Sequence, residues 1–236
     1  MATFVLVRGA WHGGWCWHKL VPLLEADGHT VDALDLPGHG DDRSPVSEMT
    51  LDGNVGRIVE RIGAAGEPVV LVGHSMGGMS VTQAAEHVPE RISRLVYLSA
   101  FLPGDGQALP DLAAGDLVQR NLIVDEAAGT ITVAEQALRP AFYGECSEED
   151  YAFATSRLVP ESLAAMGAPV RITEERAGSV PRAYIECLRD GAIVIDTQRS
   201  MQAARPCEPV LQIDADHSPF LSRPRELADH LLALAD

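Results

Sequence analysis

A single serine, Ser75, lies between Gly73 and Gly77 in the stretch GHSMGG. The stretch follows an apolar run that predicts a strand over 68–73, and it precedes a pattern that predicts a helix over 76–87. A sharp turn from strand to helix forces strained dihedral angles on its serine and leaves no room for side chains beside it. We therefore predict that Ser75 is a nucleophile. The alternative is a turn of small residues with no chemical role.

A serine hydroxyl needs a base to become a nucleophile, and the base needs a group that orients it. Chains built on such a turn carry these partners later, in the order serine, acid, histidine. His217 fits, because it follows the last predicted strand at the edge where ligands bind in open α/β sheets. We predict that His217 is the general base, with a surface-loop histidine as the alternative. His12 and His39 precede the serine and fit the order badly, and His74 is predicted to serve in packing.

The predicted acid is Asp190, which directly follows a predicted strand over 182–188. Asp196 lies further into the next segment and is the second choice. Asp214 and Asp216 are too close to the histidine along the chain to reach its far nitrogen easily. A turn aspartate without a catalytic role is the alternative for Asp190.

Acyl transfer also needs two backbone N–H groups that stabilise a tetrahedral oxyanion. One comes from the residue after the nucleophile, here Met76, and the other from a loop after an early strand. The glycine-rich stretch RGAWHGGW, residues 8–15, follows the first predicted strand, so Ala10 is the predicted second donor. Glycine-rich loops also bind phosphates, but this chain has neither a P-loop lysine nor a GxGxxG pattern.

The elements that position these residues are short apolar runs alternating with segments of helical periodicity. The runs that predict buried strands cover residues 3–9, 30–36, 68–73, 94–100, 182–188 and 209–214. They are almost continuously apolar, which is typical of strands covered on both faces. Helices are predicted over 14–27, 50–63 and the segment after Pro224. The chain is therefore predicted to be an α/β protein with a mostly parallel, doubly wound sheet of about six strands.

Residues 101–181 break this alternation. We predict that they form a small cap insertion, and that 1–100 and 182–236 together form the core. Within the insertion, helical fragments are predicted near 149–157 and 160–166. The stretch LIVDEAAGTITV predicts a short hairpin.

Composition excludes several classes of partner. The chain has 236 residues and a net charge of −16, which would repel nucleic acids and anionic membranes. The stretch MATFVLVRGAW shows no basic region followed by a long apolar segment, so neither a signal peptide nor a membrane span is predicted. The four cysteines are scattered without metal-ligand spacing, which favours free thiols, no metal and a cytoplasmic location. The predicted chemistry needs no cofactor.

Together these motifs resemble an α/β-hydrolase of the group that holds plant methylesterases, plant hydroxynitrile lyases and their bacterial esterase relatives. The resemblance is carried by FVLVRGAWHGGWCWHKLVPLLEADGHTVDALDLPGHG, VVLVGHSMGGM, AGSVPRAYIECLRDG and DADHSPFL. It implies a cap of helices and short strands over a pocket with Ser75, His217 and Asp190 as the triad and Ala10 and Met76 as oxyanion donors. It also implies a bacterial esterase, and a homodimer formed through the cap side.

The lyase branch of this group has a different pattern at three places. It carries threonine where this chain has Gly9, and Glu-Ser-Cys where this chain has His74, Ser75 and Met76. It also carries a lysine, whose charge stabilises departing cyanide, where this chain has Ser218. Cyanohydrin cleavage is therefore disfavoured as the main activity.

One residue departs from the pattern of the whole group. The oxyanion loop of the group begins with His-Gly, whereas this chain has Arg8 and Gly9. A guanidinium behind the pocket either pairs with a carboxylate such as Asp35 or offers its charge to an acidic substrate. Pairing is favoured, because buried charges are nearly always paired.

The sequence as a whole predicts a carboxylic-ester hydrolase that acts through an acyl-enzyme. Apolar and aromatic residues expected near the pocket mouth, Trp11, Trp15, Phe101 and Phe220, favour a hydrophobic or aromatic ester of the methyl type, and His12 is a further predicted pocket residue. Ordinary core packing is the alternative for the four tryptophan and phenylalanine residues. Two other functions stay open: a hydroxynitrile-lyase-like or other enzyme that cleaves carbon–carbon bonds with the same triad, and a non-catalytic binder of small molecules.

Overall fold

The computed structural model describes residues 1–235. The strands are β1 (Thr3–Val7), β2 (Thr30–Ala33), β3 (Val69–His74), β4 (Ile92–Leu98), β5 (Leu122–Asp125), β6 (Thr130–Val133), β7 (Glu161–Ser162), β8 (Arg182–Cys187) and β9 (Val210–Ile213). The α-helices are α1 (Val21–Ala26), α2 (Leu51–Ala64), α3 (Gly77–His87), α4 (Leu109–Leu112), α5 (Glu135–Phe142), α6 (Glu148–Thr155), α7 (Leu163–Gly167), α8 (Ile195–Ala204), α9 (Pro219–Ser222) and α10 (Pro224–Ala235). Short 3-10 turns cover Gly14–Trp17, Val46–Glu48, Pro89–Arg91, Gln119–Asn121 and Ala177–Ser179.

Six strands form the main sheet in the order β2-β1-β3-β4-β8-β9, and all neighbours are parallel. The predicted parallel sheet of six strands is therefore confirmed. Its strand order places the ends of β3, β4 and β8 side by side. β3, with the sequence VVLVGH, is buried at every position, as its unbroken apolar run predicts for a central strand. The carboxyl ends of β3, β4 and β8 meet at one edge, the edge at which Ser75 and Asp190 follow their strands.

The helices around the sheet follow the amphipathic pattern of their sequences. Thr50 caps α2, because its hydroxyl accepts a hydrogen bond from the Gly53 amide at 3.0 Å. In α10, Leu227, Leu231 and Leu234 are buried on one face, where each contributes about 1.5–3 kcal/mol relative to an exposed side chain. The start of α2 and the buried face of α10 therefore agree with the sequence prediction.

The helix predicted over 14–27 is wrong in part. The structure has a 3-10 turn over Gly14–Trp17 and a separate short helix, α1. Pro22 lies in the first turn of α1, where its missing N–H costs nothing, so a helix starts there instead of continuing through it. Gly14 is held against the backbone of Ala33, since a Cβ at this position would lie 2.4 Å from the Ala33 carbonyl oxygen.

Residues 101–181 connect β4 to β8 and contain α4 to α7 and a second, antiparallel sheet in the order β5-β6-β7. The predicted hairpin is present, with Leu122 opposite Val133. The helices α6 and α7 lie close to the two predicted helical fragments. The division of the chain into a core and a cap stays a prediction.

None of the helices in residues 1–235 combines the length and the apolar character that crossing a bilayer requires. All four cysteines are free thiols, three of them buried and one partly buried, as their scattered positions predict.

Candidate active site

The turn between β3 and α3 gives Ser75 an unusual backbone. Its φ angle is +54°, in the left-handed region that non-glycine residues seldom occupy. The turn packs tightly against the end of β1, because a Cβ on Gly77 would lie 2.5 Å from the Arg8 carbonyl oxygen. Only a glycine fits at position 77 so close to the Arg8 carbonyl oxygen. Ser75 therefore lies in a tight turn directly before α3.

The His217 ring is held by a buried carboxylate. Its Nδ1 lies 2.6 Å from Asp190 Oδ2, so Nδ1 carries the proton and donates, which leaves Nε2 free to accept one. The other Asp190 oxygen accepts hydrogen bonds from the backbone N–H groups of Ala192 at 2.6 Å and Ile193 at 2.8 Å. The predicted acid thus contacts the predicted base, whereas Asp196 lies exposed in the first turn of α8.

Ser99 is a further partner of Asp190 that no sequence motif predicted. Its hydroxyl donates a hydrogen bond to Asp190 Oδ2, the oxygen that also contacts His217. Ser99 is fully buried and has a φ angle of +39°. A signal was available, because Ser99 directly follows β4 and Asp190 closely follows β8, and these strands are neighbours in the sheet.

Two residues hold the loop that carries His217. His74 Nε2 donates to the His217 carbonyl oxygen at 2.8 Å, and the two rings lie 4.5 Å apart. Burial lowers the pKa of His74 well below its usual value, and the neighbouring His217 and His12 lower it further, so His74 is neutral. Asp216 is buried and accepts a hydrogen bond from the Ser218 N–H at 3.2 Å. The loop is therefore pinned on both sides of the base.

His74, the neighbour of Ser75, is hydrogen-bonded to the His217 carbonyl oxygen, so the loop of the base lies next to the serine turn. Within residues 1–235, no hydrogen bond joins the Ser75 hydroxyl to the His217 ring. This contact is often long in serine hydrolases before a substrate binds and shortens with the substrate.

The predicted oxyanion donors, Ala10 and Met76, lie beside Ser75 at the wall of one cavity. In the part of the chain that the structure describes, neither of their N–H groups donates a hydrogen bond. The two loops touch, since a Cβ on Gly9 would lie 2.7 Å from the Ser75 Cβ. Two free backbone donors next to a serine can stabilise negative charge on an oxygen.

Arg8 is buried and paired, but its partner is Glu161 and not Asp35. Its Nη1 lies 2.5 Å from Glu161 Oε2 on β7, whereas Asp35 accepts hydrogen bonds from the backbone N–H groups of Gly14 and Asp41. Burial alone would raise the pKa of Glu161, but Arg8 and the nearby His39 together lower it to about 2. The Asp35 hypothesis is therefore corrected to Glu161, which comes from the segment between β4 and β8.

The cavity at Ser75 has a volume of about 270 Å³. Apart from Ser75 and Gln119, its lining side chains are apolar. Most come from residues 101–181, among them Leu109, Val118, Ile131, Phe142 and Met166. No charged side chain lines the cavity within the described residues, so it favours an uncharged, hydrophobic ligand group.

Of the residues predicted near the pocket, Trp11 and Phe101 line this cavity. His12, Trp15 and Phe220 do not, and their prediction is corrected. The ring of His12 is held by Tyr143, whose hydroxyl lies 2.7 Å from its Nε2. Phe220 is fully buried and packs against Trp17 and the ring of His74, behind the serine turn.

Three comparisons place the chain among known proteins. The sequence model of the alpha/beta hydrolase family matches residues 4–230. Methylesterase 9 of Arabidopsis thaliana is 34% identical over 255 residues, which cover 100% of this chain and 99% of that protein. Salicylic acid-binding protein 2 of Nicotiana tabacum is 36% identical over 262 residues, which cover 98% of this chain and 96% of that protein. The crystal structure of polyneuridine aldehyde esterase has a TM-score of 0.87 and 32% identity and covers 100% of both chains.

These two curated relatives are plant proteins, so the bacterial source and the cytoplasmic location stay predictions.

Proposed function

Since the chain belongs to the alpha/beta hydrolase family and is a carboxylic-ester hydrolase, we propose that Ser75, His217 and Asp190 are its catalytic triad. One observation carries the proposal. Ser75, in its left-handed turn, opens onto an apolar cavity together with two backbone N–H groups, those of Ala10 and Met76, that have no partner in residues 1–235.

In the proposed reaction, Ser75 Oγ attacks the ester carbonyl while His217 Nε2 accepts the hydroxyl proton. The N–H groups of Ala10 and Met76 stabilise the tetrahedral oxyanion. His217 then protonates the departing alcohol, and the acyl group stays on Ser75 until water, activated by the same histidine, hydrolyses it. Asp190 orients the ring and stabilises its charged form. The carboxylate of Asp190 is itself held in place by two backbone amides, which donate to its second oxygen.

The proposed substrate is a hydrophobic or aromatic ester of a small alcohol such as methanol. Two relatives support this by name, a methylesterase and a salicylic acid-binding protein. The cavity supports it physically, because its lining is apolar and its volume of about 270 Å³ suits a compact acyl group. Arg8 does not favour an acidic substrate, since Glu161 already pairs with it.

The other two functions have less support. A lyase reaction would need a cation at position 218, where this chain has a buried serine. A non-catalytic binder would bind aromatic ligands without hydrolysing esters.

Initial hydrolysis rates on a panel of methyl esters, from acetate to benzoate and larger aromatic acids, test the proposal. The wild type should prefer the apolar and aromatic members. Ser75→Ala should lower the rate by roughly four to six orders of magnitude. Ser93→Ala is a matched control, because Ser93 lies at the start of β4, away from the cavity. Aromatic binding without hydrolysis in the wild type would instead favour the binder.

A further inference from the structure

Arg8 contacts the peptide group that carries one of the two oxyanion donors. Its Nη1 donates to the Gly9 carbonyl oxygen at 3.0 Å and to Glu161 at 2.5 Å. The carbonyl of Gly9 and the N–H of Ala10 belong to the same peptide group. Glu161 thus holds the guanidinium, and the guanidinium holds that peptide.

The orientation of this peptide decides whether an oxyanion can form. In a trans peptide the C=O and N–H bonds point in opposite directions. Holding the Gly9 oxygen toward Arg8 therefore directs the Ala10 N–H away from Arg8. Ala10 borders the cavity beside Ser75, so the N–H is available to the reacting carbonyl. A flipped peptide would present an oxygen there and repel the developing negative charge.

We propose that Arg8 and Glu161 are positioning residues for the oxyanion hole, which they act on through the Gly9–Ala10 peptide. The inference rests on the proposed function, because it assigns the pair a part in that reaction.

Stability alone does not account for the pair. Arg8 is 1% exposed, and its Nε and Nη2 have no hydrogen-bond partner in the described part of the chain. Unsatisfied donors on a buried charge cost free energy, and a hydrophobic pair of similar volume often replaces a buried ion pair without loss of stability. A role in placing the peptide gives a reason for this arrangement.

Trp11 and His12, the next residues of this loop, are also held by residues between β4 and β8. Trp11 Nε1 donates to the Ile131 carbonyl oxygen on β6 at 2.8 Å. His12 Nδ1 donates to the Ala10 carbonyl oxygen at 2.7 Å, and Tyr143 donates to His12 Nε2. Burial lowers the pKa of His12 to about 3, so its ring is neutral and keeps one donor and one acceptor. Contacts from residues 101–181 thus fix the loop on both sides of the Gly9–Ala10 peptide.

The test is the double variant Arg8→Met/Glu161→Leu, which removes both buried charges together. The control is Arg199→Met/Glu186→Leu. It removes another arginine–glutamate pair, 3.2 Å apart, whose glutamate is buried on β8 and whose arginine is half-exposed. Both proteins and the wild type are compared by kcat and KM per folded molecule on a methyl ester, and by amide hydrogen exchange of residues 9–12.

The Arg8 double variant should lower kcat on the order of 10- to 100-fold and leave KM unchanged, because the oxyanion bond forms only in the transition state. Exchange at residues 9–12 should become faster, and the control should change neither quantity. Unchanged kcat and unchanged exchange in the Arg8 variant would overturn the inference.

Two further measurements distinguish a failure to fold and a failure of the proposed function from a failure of the positioning role. If the double variant does not fold, Glu161→Gln replaces it, with Glu186→Gln as its control and a smaller fall in kcat expected. If the wild type hydrolyses no ester, the proposed function fails. The exchange measurement then decides by itself whether Arg8 holds the loop.

Discussion

The two loops that supply the oxyanion donors are built in different ways. The serine turn, residues 73–78, is specified by a short local pattern, because β3 ends and α3 begins there and Gly77 lets the turn pack against the Arg8 carbonyl oxygen. The Ala10 loop, residues 8–12, is fixed by side chains far away in sequence, with Glu161 lying 153 residues from Arg8 and Ile131 lying 120 residues from Trp11. One half of the site is thus specified by a local sequence pattern, and the other half depends on the segment between β4 and β8.

The largest expected fall in kcat comes from changing Asp190, which holds the base that serves Ser75. Asp190→Asn should lower kcat on the order of 10⁴-fold, because an amide cannot hold His217 in the tautomer that leaves Nε2 free. The protein should stay folded, since the backbone bonds to this side chain can still form at its remaining oxygen. Steady-state kinetics with circular dichroism checks this, and a variant with near wild-type kcat would exclude Asp190 from the triad.

A smaller effect is expected where the two loops touch. Gly9→Ala would place a Cβ 2.7 Å from the Ser75 Cβ, so the Ala10 loop must move away from the serine turn. Loss of one oxyanion donor lowers turnover on the order of 10²–10³-fold, and we expect a fall in kcat in that range. Gly56→Ala in α2 is the control, because a Cβ there meets nothing within 4 Å. Equal kcat in both variants would show that the loops do not need this contact.

The side chains that line the cavity from the segment between β4 and β8 should set the selectivity for the acyl group. Ala113→Phe would fill part of the cavity, whereas Ala114→Phe adds the same side chain to a separate surface cleft. We expect the first variant to lower kcat/KM for bulky aromatic esters on the order of 10-fold and to spare methyl acetate. The second variant should leave both unchanged. A uniform loss across all esters in Ala113→Phe would contradict this division of roles.

The smallest expected effect concerns acid stability, to which each loop contributes one buried neutral histidine. The pKa of His12 is about 3 in the folded protein and about 6.5 in the unfolded chain. Below about pH 6.5 only the unfolded chain takes up this proton, so the free energy of unfolding falls by about 1.4 kcal/mol per pH unit. The pKa of His74 is lowered in the same direction.

Urea unfolding between pH 6.5 and 5 measures this slope. His12→Asn should flatten it by about one proton relative to the wild type, whatever its effect on stability at pH 7. Glu161 stays ionised in the folded protein over this range, since its pKa is about 2, and its contribution to the slope is the same in both proteins. An identical slope in both proteins would mean that His12 is protonated in the folded state.

The contrast between the loops also explains which parts of the structure the sequence predicts. The six strands, the hairpin and the serine turn follow from patterns that span a few residues, and all of them are present. The contact between His217 and Asp190 followed from chain order and strand ends, since both residues lie near the carboxyl edge of the sheet.

The contacts of the Ala10 loop could not be predicted in the same way. Charge alone does not tell which of many carboxylates meets Arg8, and the partner lies on a two-residue strand that no pattern indicates. The same limit applies to His12, because its contact with Tyr143 lies 131 residues along the chain. Polar contacts between residues that are far apart in the chain produce no periodic pattern of apolar residues in the sequence.

The identity of the nucleophile is tested most directly by labelling with a fluorophosphonate, which reacts irreversibly with activated serines. Peptide mapping by mass spectrometry is combined with hydrolysis rates at partial labelling. We predict one phosphonyl group per chain, on Ser75, and a loss of ester hydrolysis in proportion to the label. Hydrolysis that persists after Ser75 is fully labelled would contradict its assignment as the nucleophile.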